Sequence, residues 1–276
     1  MEPRWAGRPR CWTAGSFLRE TKAVARGKPR AMFDLDLSGS VARLTLGRPE
    51  ARNAIPLAGW RELAARVREA EESGARVLVL SGSSSAFCAG ADLQDFPALQ
   101  RDPAARADFR AAMREGLDGL AAAAMPTVVA IEGPCYGAGV ALALACDLRL
   151  AGSGARFAIT PAKFGISYPQ EDVTRLVALV GPGQASRLLL TALPIDAAEA
   201  ARIGLVEIHA ADLRPVLDEI VASLVAASPA SHRALKRAIP LAARGIATDA
   251  AQDESFDALF GSEDFERRFA ALRGGR

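Results

Sequence analysis

Apolar residues recur along this chain with two periods, and the points where one period gives way to the other divide it into strands and helices. Alternation from Met32 predicts strands near 32 to 37 and 41 to 46, joined by the turn residues Ser38, Gly39 and Ser40. Leu57, Trp60, Leu63, Ala64 and Val67 then recur at helical spacing behind Pro56, which suits a first helical turn. Val77 to Leu80 is wholly apolar, ends at Gly82, and predicts a parallel strand buried on both faces. An Ala-rich stretch predicts one long helix over 97 to 123, and Thr127 to Ile131 another buried strand. A core helix over Gly137 to Cys146, strands over Leu148 to Leu150 and Arg156 to Ile159, and a helix over Asp172 to Val180 continue the alternation. Beyond about residue 183 only helices are predicted. The clearest carries the stripe Leu213, Val216, Leu217, Ile220, Val221, Leu224 and Val225, stopped by Ser228 and Pro229. No fixed internal period is present.

Strand and helix alternating in this way predict an α/β fold, and 276 residues suffice for one large domain with a helical C-terminal part. The expected division is 32–195 for the strand-bearing core and 196–276 for the helical part. Residues 1–31 are set apart by charge: eight Lys or Arg stand against only Glu2 and Glu20 among the first thirty. With no apolar run inside it, that segment is not a secretory signal and is expected to be a disordered extension, so that Met32 is a candidate start. The net charge of +2 gives no reason to expect nucleic acid as partner, and the apolar runs fall well short of the roughly 20 residues a membrane span needs. Cys11, Cys88, Cys135 and Cys146 lack metal-ligand spacing, which argues against zinc and disulfides and for a reducing compartment, the cytoplasm. His209 and His232 are isolated and expected at the surface or in packing.

The candidate chemistry lies in two glycine-containing turns, each expected to lead from a strand into a helix. They are Phe87-Cys88-Ala89-Gly90-Ala91-Asp92-Leu93 and Gly133-Pro134-Cys135-Tyr136-Gly137-Ala138-Gly139-Val140. Such junctions leave backbone N–H groups without internal partners, and two of them converging on one carbonyl make an oxyanion hole. Asp92 is expected to cap the helix after the first turn. A nicotinamide-binding turn is the rival reading, but Gly137-Ala138-Gly139-Val140-Ala141-Leu142 lacks the third small residue. A serine hydrolase is a weaker rival still, since Ala151-Gly152-Ser153-Gly154-Ala155 is not GxSxG.

Together with Leu46-Gly47-Arg48-Pro49, Arg52-Asn53-Ala54, Ala145 to Ala151, Ala197 to Val206 and Ser228-Pro229-Ala230 with Lys236, the two turns resemble the enoyl-CoA hydratase/isomerase (crotonase) family. The resemblance runs from about Met32 to Ile239. It implies a spiral of ββα turns, trimers or paired trimers, a coenzyme A thioester substrate and no other cofactor. It also implies that the Ala91 and Ala138 N–H groups hold the thioester oxygen, with Ala89, Gly90, Leu93 and Gly137 around it. Ala138 departs from the glycine usual there. Family hydratases carry glutamates where this chain has Ala141 and Pro161, and neither of these can move a proton.

The segment Thr160-Pro161-Ala162-Lys163-Phe164-Gly165-Ile166-Ser167-Tyr168-Pro169 resembles the methylmalonyl-CoA decarboxylase branch, which implies that Thr160 and Tyr168 line the acyl pocket. That branch has a histidine where Ala91 stands. Three readings therefore stay open: an enolate-stabilising lyase or isomerase, a decarboxylase of malonyl-type thioesters, and a non-catalytic acyl-CoA binder. Glu171 and Asp172 are further acid-base candidates or simply helix N-terminal charge. Arg48 and Arg52 are candidates for the pocket rim facing the ligand's phosphates, and Lys236 is another basic candidate. Cys135 and Tyr136 are expected in core packing.

Overall fold

A computed structural model of the protein describes residues 31–274, so nearly all of the expected N-terminal extension, and Cys11 with it, lies outside the described residues. The chain opens on the strands β1 (Phe33–Asp36) and β2 (Val41–Leu46), and continues through α1 (Leu57–Glu72) and β3 (Val77–Gly82). Two helices follow, α2 (Phe96–Arg101) and α3 (Pro103–Ala122), then β4 (Thr127–Ile131), β5 (Pro134–Tyr136) and α4 (Ala138–Leu144). The next turn is β6 (Leu148–Gly152), β7 (Arg156–Ala158) and α5 (Gln170–Thr191). After β8 (Ile195–Asp196), α6 (Ala197–Arg202) and β9 (Ile208–Ala210) come four helices: α7 (Leu213–Ala226), α8 (Pro229–Ala243), α9 (Ala250–Phe260) and α10 (Glu263–Gly274).

Six strands form one sheet in the order β1-β2-β3-β4-β6-β9, and β5, β7 and β8 form a smaller one. Only β1 runs antiparallel to its neighbour in the larger sheet. The chain thus advances in ββα steps: β4 adds to the large sheet, β5 to the small one and α4 returns, and β6, β7 and α5 repeat the move. The central strands are mostly apolar because both faces are covered. Leu78 and Leu80 of β3 join the main core with Trp60, Leu63 and Leu117, while Val77 and Val79 pack with Leu213, Leu217 and Val221 of α7.

The long helix expected over 97 to 123 is two helices. Pro103 begins α3 and cannot continue α2, and the Asp102 carboxylate caps the restart by accepting the Ala104 N–H at 2.8 Å. The helix expected to end at Val180 runs on to Thr191 through a break at Gly181, whose φ is 71°. β8 and β9 are strands where only helices were expected, and β9 pairs with β6. Sheet structure therefore runs to Ala210, past the expected boundary at 195. These strands are two and three residues long, too short to show alternation.

Candidate active site

The two glycine-containing turns lie side by side because the strands that feed them are neighbours. Cys88 and Cys135 form an isolated parallel bridge, with the Cys88 N–H donating to Pro134 O at 3.0 Å and the Tyr136 N–H to Cys88 O at 2.9 Å. Both thiols are fully buried, and burial pushes that of Cys88 up to about 12; Cys135 packs in the core as expected, and Cys88 packs with it. Gly90 has φ 112°, and a Cβ there would sit 3.0 Å from Tyr136 O and 3.6 Å from Ala138 N. Only glycine permits this approach of the first turn to the second.

Hydrogen bonds to Ile55 settle which way the first turn's amides point. Gly90 O accepts the Ile55 N–H at 2.8 Å and Ile55 O accepts the Asp92 N–H at 3.0 Å, while the Ala89 N–H goes to Arg52 O at 3.0 Å. The Ala91 N–H, between the two groups bound to Ile55, has no protein acceptor among the described residues. In the second turn Gly137 takes φ 51° and ψ −114°, its N–H donates to Ala158 O at 2.8 Å, and Ala138 opens α4. The Ala138 N–H is likewise without an acceptor among the described residues. Both residues are half-buried, so these two N–H groups on adjoining turns are open to an acceptor from outside the chain.

Asn53 organises the approach to the first turn, a role the sequence reading did not assign. Fully buried with φ 56°, it accepts the Arg48 N–H at 3.0 Å and donates to Ser83 O at 3.0 Å and Ala86 O at 2.8 Å. The signal was the Arg-Asn pair itself, since asparagine tolerates the left-handed conformation and can bond in both senses. Arg48 is tied inward, donating to Ala54 O and to the Asp92 carboxylate, each at 2.9 Å. Arg52 is exposed and Leu93 is 42% exposed. Asp92 does not cap a helix. Its carboxylate binds Arg48 and the Gln94 N–H, and α2 begins only at Phe96. Asp95 instead caps α1 from outside, accepting the Leu57 N–H at 2.8 Å, because Pro56 occupies the N-cap and has no side-chain acceptor.

Thr160 and Tyr168 both reach Gly137. Thr160 Oγ1 lies 3.2 Å from where a Cβ on Gly137 would stand, and the Tyr168 hydroxyl donates to Gly137 O at 3.1 Å. The phenol's one hydrogen is thus engaged by the protein itself. Burial holds its pKa well above 10, and the nearby Asp172 charge adds to this. Ala141 is fully buried in α4, and Pro161 begins a short 3-10 turn through Phe164. Of the other acid-base candidates, Asp172 is fully buried and takes both oxygens to Arg114 Nη2, at 2.8 and 2.9 Å, with Arg175 Nη1 at 3.4 Å. Burial raises the pKa of Asp172 and Arg114 opposes the rise. Glu171 is exposed on a depression of about 290 Å³ shared with Ala107, Arg110 and Arg114. Lys236 lies away from the turns, its Nζ 2.7 Å from the Asp147 carboxylate and 3.0 Å from Met125 O, fastening α8 to the start of β4. No group of three His, Cys, Asp or Glu among the described residues could hold a metal ion.

A family model described as enoyl-CoA hydratase/isomerase matches residues 36–270. The short-chain-enoyl-CoA hydratase of Clostridium acetobutylicum is 31% identical over 83% of this chain and 90% of its own length. A Bacillus subtilis protein named for enoyl-CoA hydratase/isomerase activity is 36% identical over 76% of this chain and 81% of its own. Among solved structures, an enoyl-CoA hydratase/isomerase family protein of Hyphomonas neptunium superposes with a TM-score of 0.85 at 32% identity, covering 90% of this chain and 97% of that one. A Thermobifida fusca structure described as an enoyl-CoA hydratase in complex with CoA gives 0.73 at 33% identity, covering 88% and 95%.

Proposed function

Because the chain belongs to the enoyl-CoA hydratase/isomerase family, we propose that it binds an acyl-coenzyme A thioester and stabilises its enolate between the Ala91 and Ala138 amides. The observation that carries this reading is the pair of unpartnered N–H groups on adjoining turns. When a bond to the α-carbon breaks and leaves its electrons behind, negative charge gathers on the thioester oxygen. Two fixed donors aimed at that oxygen stabilise the charge without having to reorient. The step calls for no separate cofactor beyond the coenzyme A that the substrate carries. The coenzyme A bound in the Thermobifida fusca relative supports the same ligand class.

Hydration is not the reaction this site favours. Adding water to an enoyl thioester needs one group to activate water and another to protonate the α-carbon, and positions 141 and 161 carry alanine and proline. Decarboxylation of a malonyl-type thioester needs neither. The carbon-carbon bond electrons pass into the enolate, carbon dioxide departs, and the α-carbon then takes a proton from water. A second reading, an acyl-CoA binder without turnover, is favoured by the engagement of the Tyr168 hydrogen on Gly137 O. The free thiols of Cys88, Cys135 and Cys146 suit a reducing compartment such as the cytoplasm.

Enoyl-, malonyl-, methylmalonyl- and β-ketoacyl-CoA substrates, with products identified by mass, separate the readings. We expect very slow hydration of crotonyl-CoA and release of carbon dioxide from a malonyl-type substrate. Proficient crotonyl-CoA hydration would show the acid-base argument to be wrong. Binding without any product would leave the acyl-CoA binder.

A further inference from the structure

We propose that Tyr168 is a positioning residue for the oxyanion donor of Ala138, acting through the peptide group between Gly137 and Ala138 and not on the substrate. The inference rests on the reading that the Ala138 N–H receives a thioester oxygen. The Gly137 carbonyl and the Ala138 N–H are the two ends of one resonance-stabilised trans peptide, and no cis bond is present among the described residues. Whatever donates to the carbonyl draws electron density from the nitrogen and makes its hydrogen a stronger donor on the far side.

Gly137 O is unusually well supplied. It accepts the Val140 N–H at 3.0 Å, the Ala141 N–H at 3.3 Å and the Tyr168 hydroxyl at 3.1 Å. The first two belong to the opening turn of α4 and would form at any helix start. The phenol is additional and comes from a distant part of the chain. It also fixes direction: at φ 51° and ψ −114° Gly137 lies outside the helical basin, in a region open chiefly to glycine, where the following peptide plane is weakly held by local sterics. The Gly137 N–H is held by Ala158 O, and Thr160 closes off the space beside its Cα. The Tyr168 bond adds to the two α4 amides a third donor that holds the carbonyl end from outside the helix.

Tyr168 is itself braced. Its ring packs on the main core, and four residues on, Asp172 is locked by Arg114 of α3. A phenol whose pKa burial holds well above 10 keeps its hydrogen across the working pH range, so the donation persists. Such a group is a poor acid for the substrate and a steady donor to a carbonyl.

The test reads the bound carbonyl directly and needs no turnover. Isotope-edited infrared difference spectra are taken of the full chain with acetyl-CoA labelled at the thioester carbonyl. Oxyanion donors lower that stretch relative to free ligand. In Tyr168→Phe we expect loss of roughly 5–15% of the downshift, the scale of cooperative strengthening of one of two contributing hydrogen bonds, with affinity for free coenzyme A unchanged. Fluorotyrosine at 168 has a more acidic hydroxyl and should enlarge the downshift. The chain has two tyrosines, so incorporation in a Tyr136→Phe background places the analogue at 168 alone. A clear wild-type downshift that neither change moves overturns the inference. No wild-type downshift removes the oxyanion reading and this inference with it. Should Tyr168→Phe not fold, the fluorotyrosine protein decides alone.

Discussion

At the scale of single residues, the proposed site consists of main-chain groups whose direction is set by the hydrogen bonds of neighbouring residues. Ala91 presents its N–H outward because the groups on either side of it are bound to Ile55. Ala91→Pro removes that one donor and leaves the Ile55 bonds in place. It should lower turnover of whichever thioester proves to be the substrate about 100- to 1,000-fold, the usual cost of losing one oxyanion donor. The circular dichroism spectrum should not change. Undiminished turnover in a folded Ala91→Pro protein would take Ala91 out of the site. That the two turns adjoin was legible in the sequence through their glycines, which close backbone approach requires, while the choice of Ala91 and Ala138 as donors came from the family resemblance. The direction of the Tyr168 hydroxyl was not legible. Nothing in the order of residues shows that the Gly137 carbonyl stands within its reach.

Elements were legible wherever one periodicity ran long enough to be seen. β3 and β4 were plain as short, wholly apolar runs, and α7 as a stripe. The break between α2 and α3 was hidden, although Asp102-Pro103 is a restart signal, because the alanine-rich run after it and the Ala98-Leu99-Gln100-Arg101 stretch before it both suit a helix. Contacts between elements were hidden altogether. Asp172 looked like ordinary negative charge at a helix start, yet it is the buried bond from α5 to α3 through Arg114. Arg114→Met leaves that carboxylate buried with only the longer contact to Arg175. The expected loss is about 3–5 kcal/mol, the cost of orphaning one partner of a buried pair. It would be read as a lower urea midpoint at unchanged slope. Asp172→Leu added to Arg114→Met should recover part of it, since the unpaired charge is then gone. Equal or greater damage in the double variant would mean that the pair matters for packing and not for charge.

On the scale of the whole molecule, an aromatic surface stands uncovered among the described residues. Phe256, Phe260, Phe265 and Phe269 form a ladder across α9 and α10 with successive ring centroids 4.9, 5.1 and 5.6 Å apart, and each is at least 39% exposed. A row of aromatics in water suits association with other copies, in line with the expected trimer or paired trimers. Sedimentation should give a closed oligomer that Phe260→Asp weakens. A monomer at micromolar concentration, unaltered by that change, would remove the expectation. The adjacency of the two turns has a thermodynamic consequence as well. Ala91 and Ala138 are far apart in sequence and meet only when β3 and β4 stand in register, Leu78 opposite Thr127 through Ser81 opposite Ala130. An unfolded chain has no such meeting place, so on the proposed seating of the thioester the ligand binds the native state alone and mass action shifts unfolding upward. At a hundredfold excess over Kd the shift is about 2.7 kcal/mol, or about 5–10 °C in melting temperature for a domain of this size. The thioester thus doubles as a probe of whether the sheet has closed: a variant with a slipped β3–β4 register would keep its helical signal and lose the ligand-dependent part of its melting temperature.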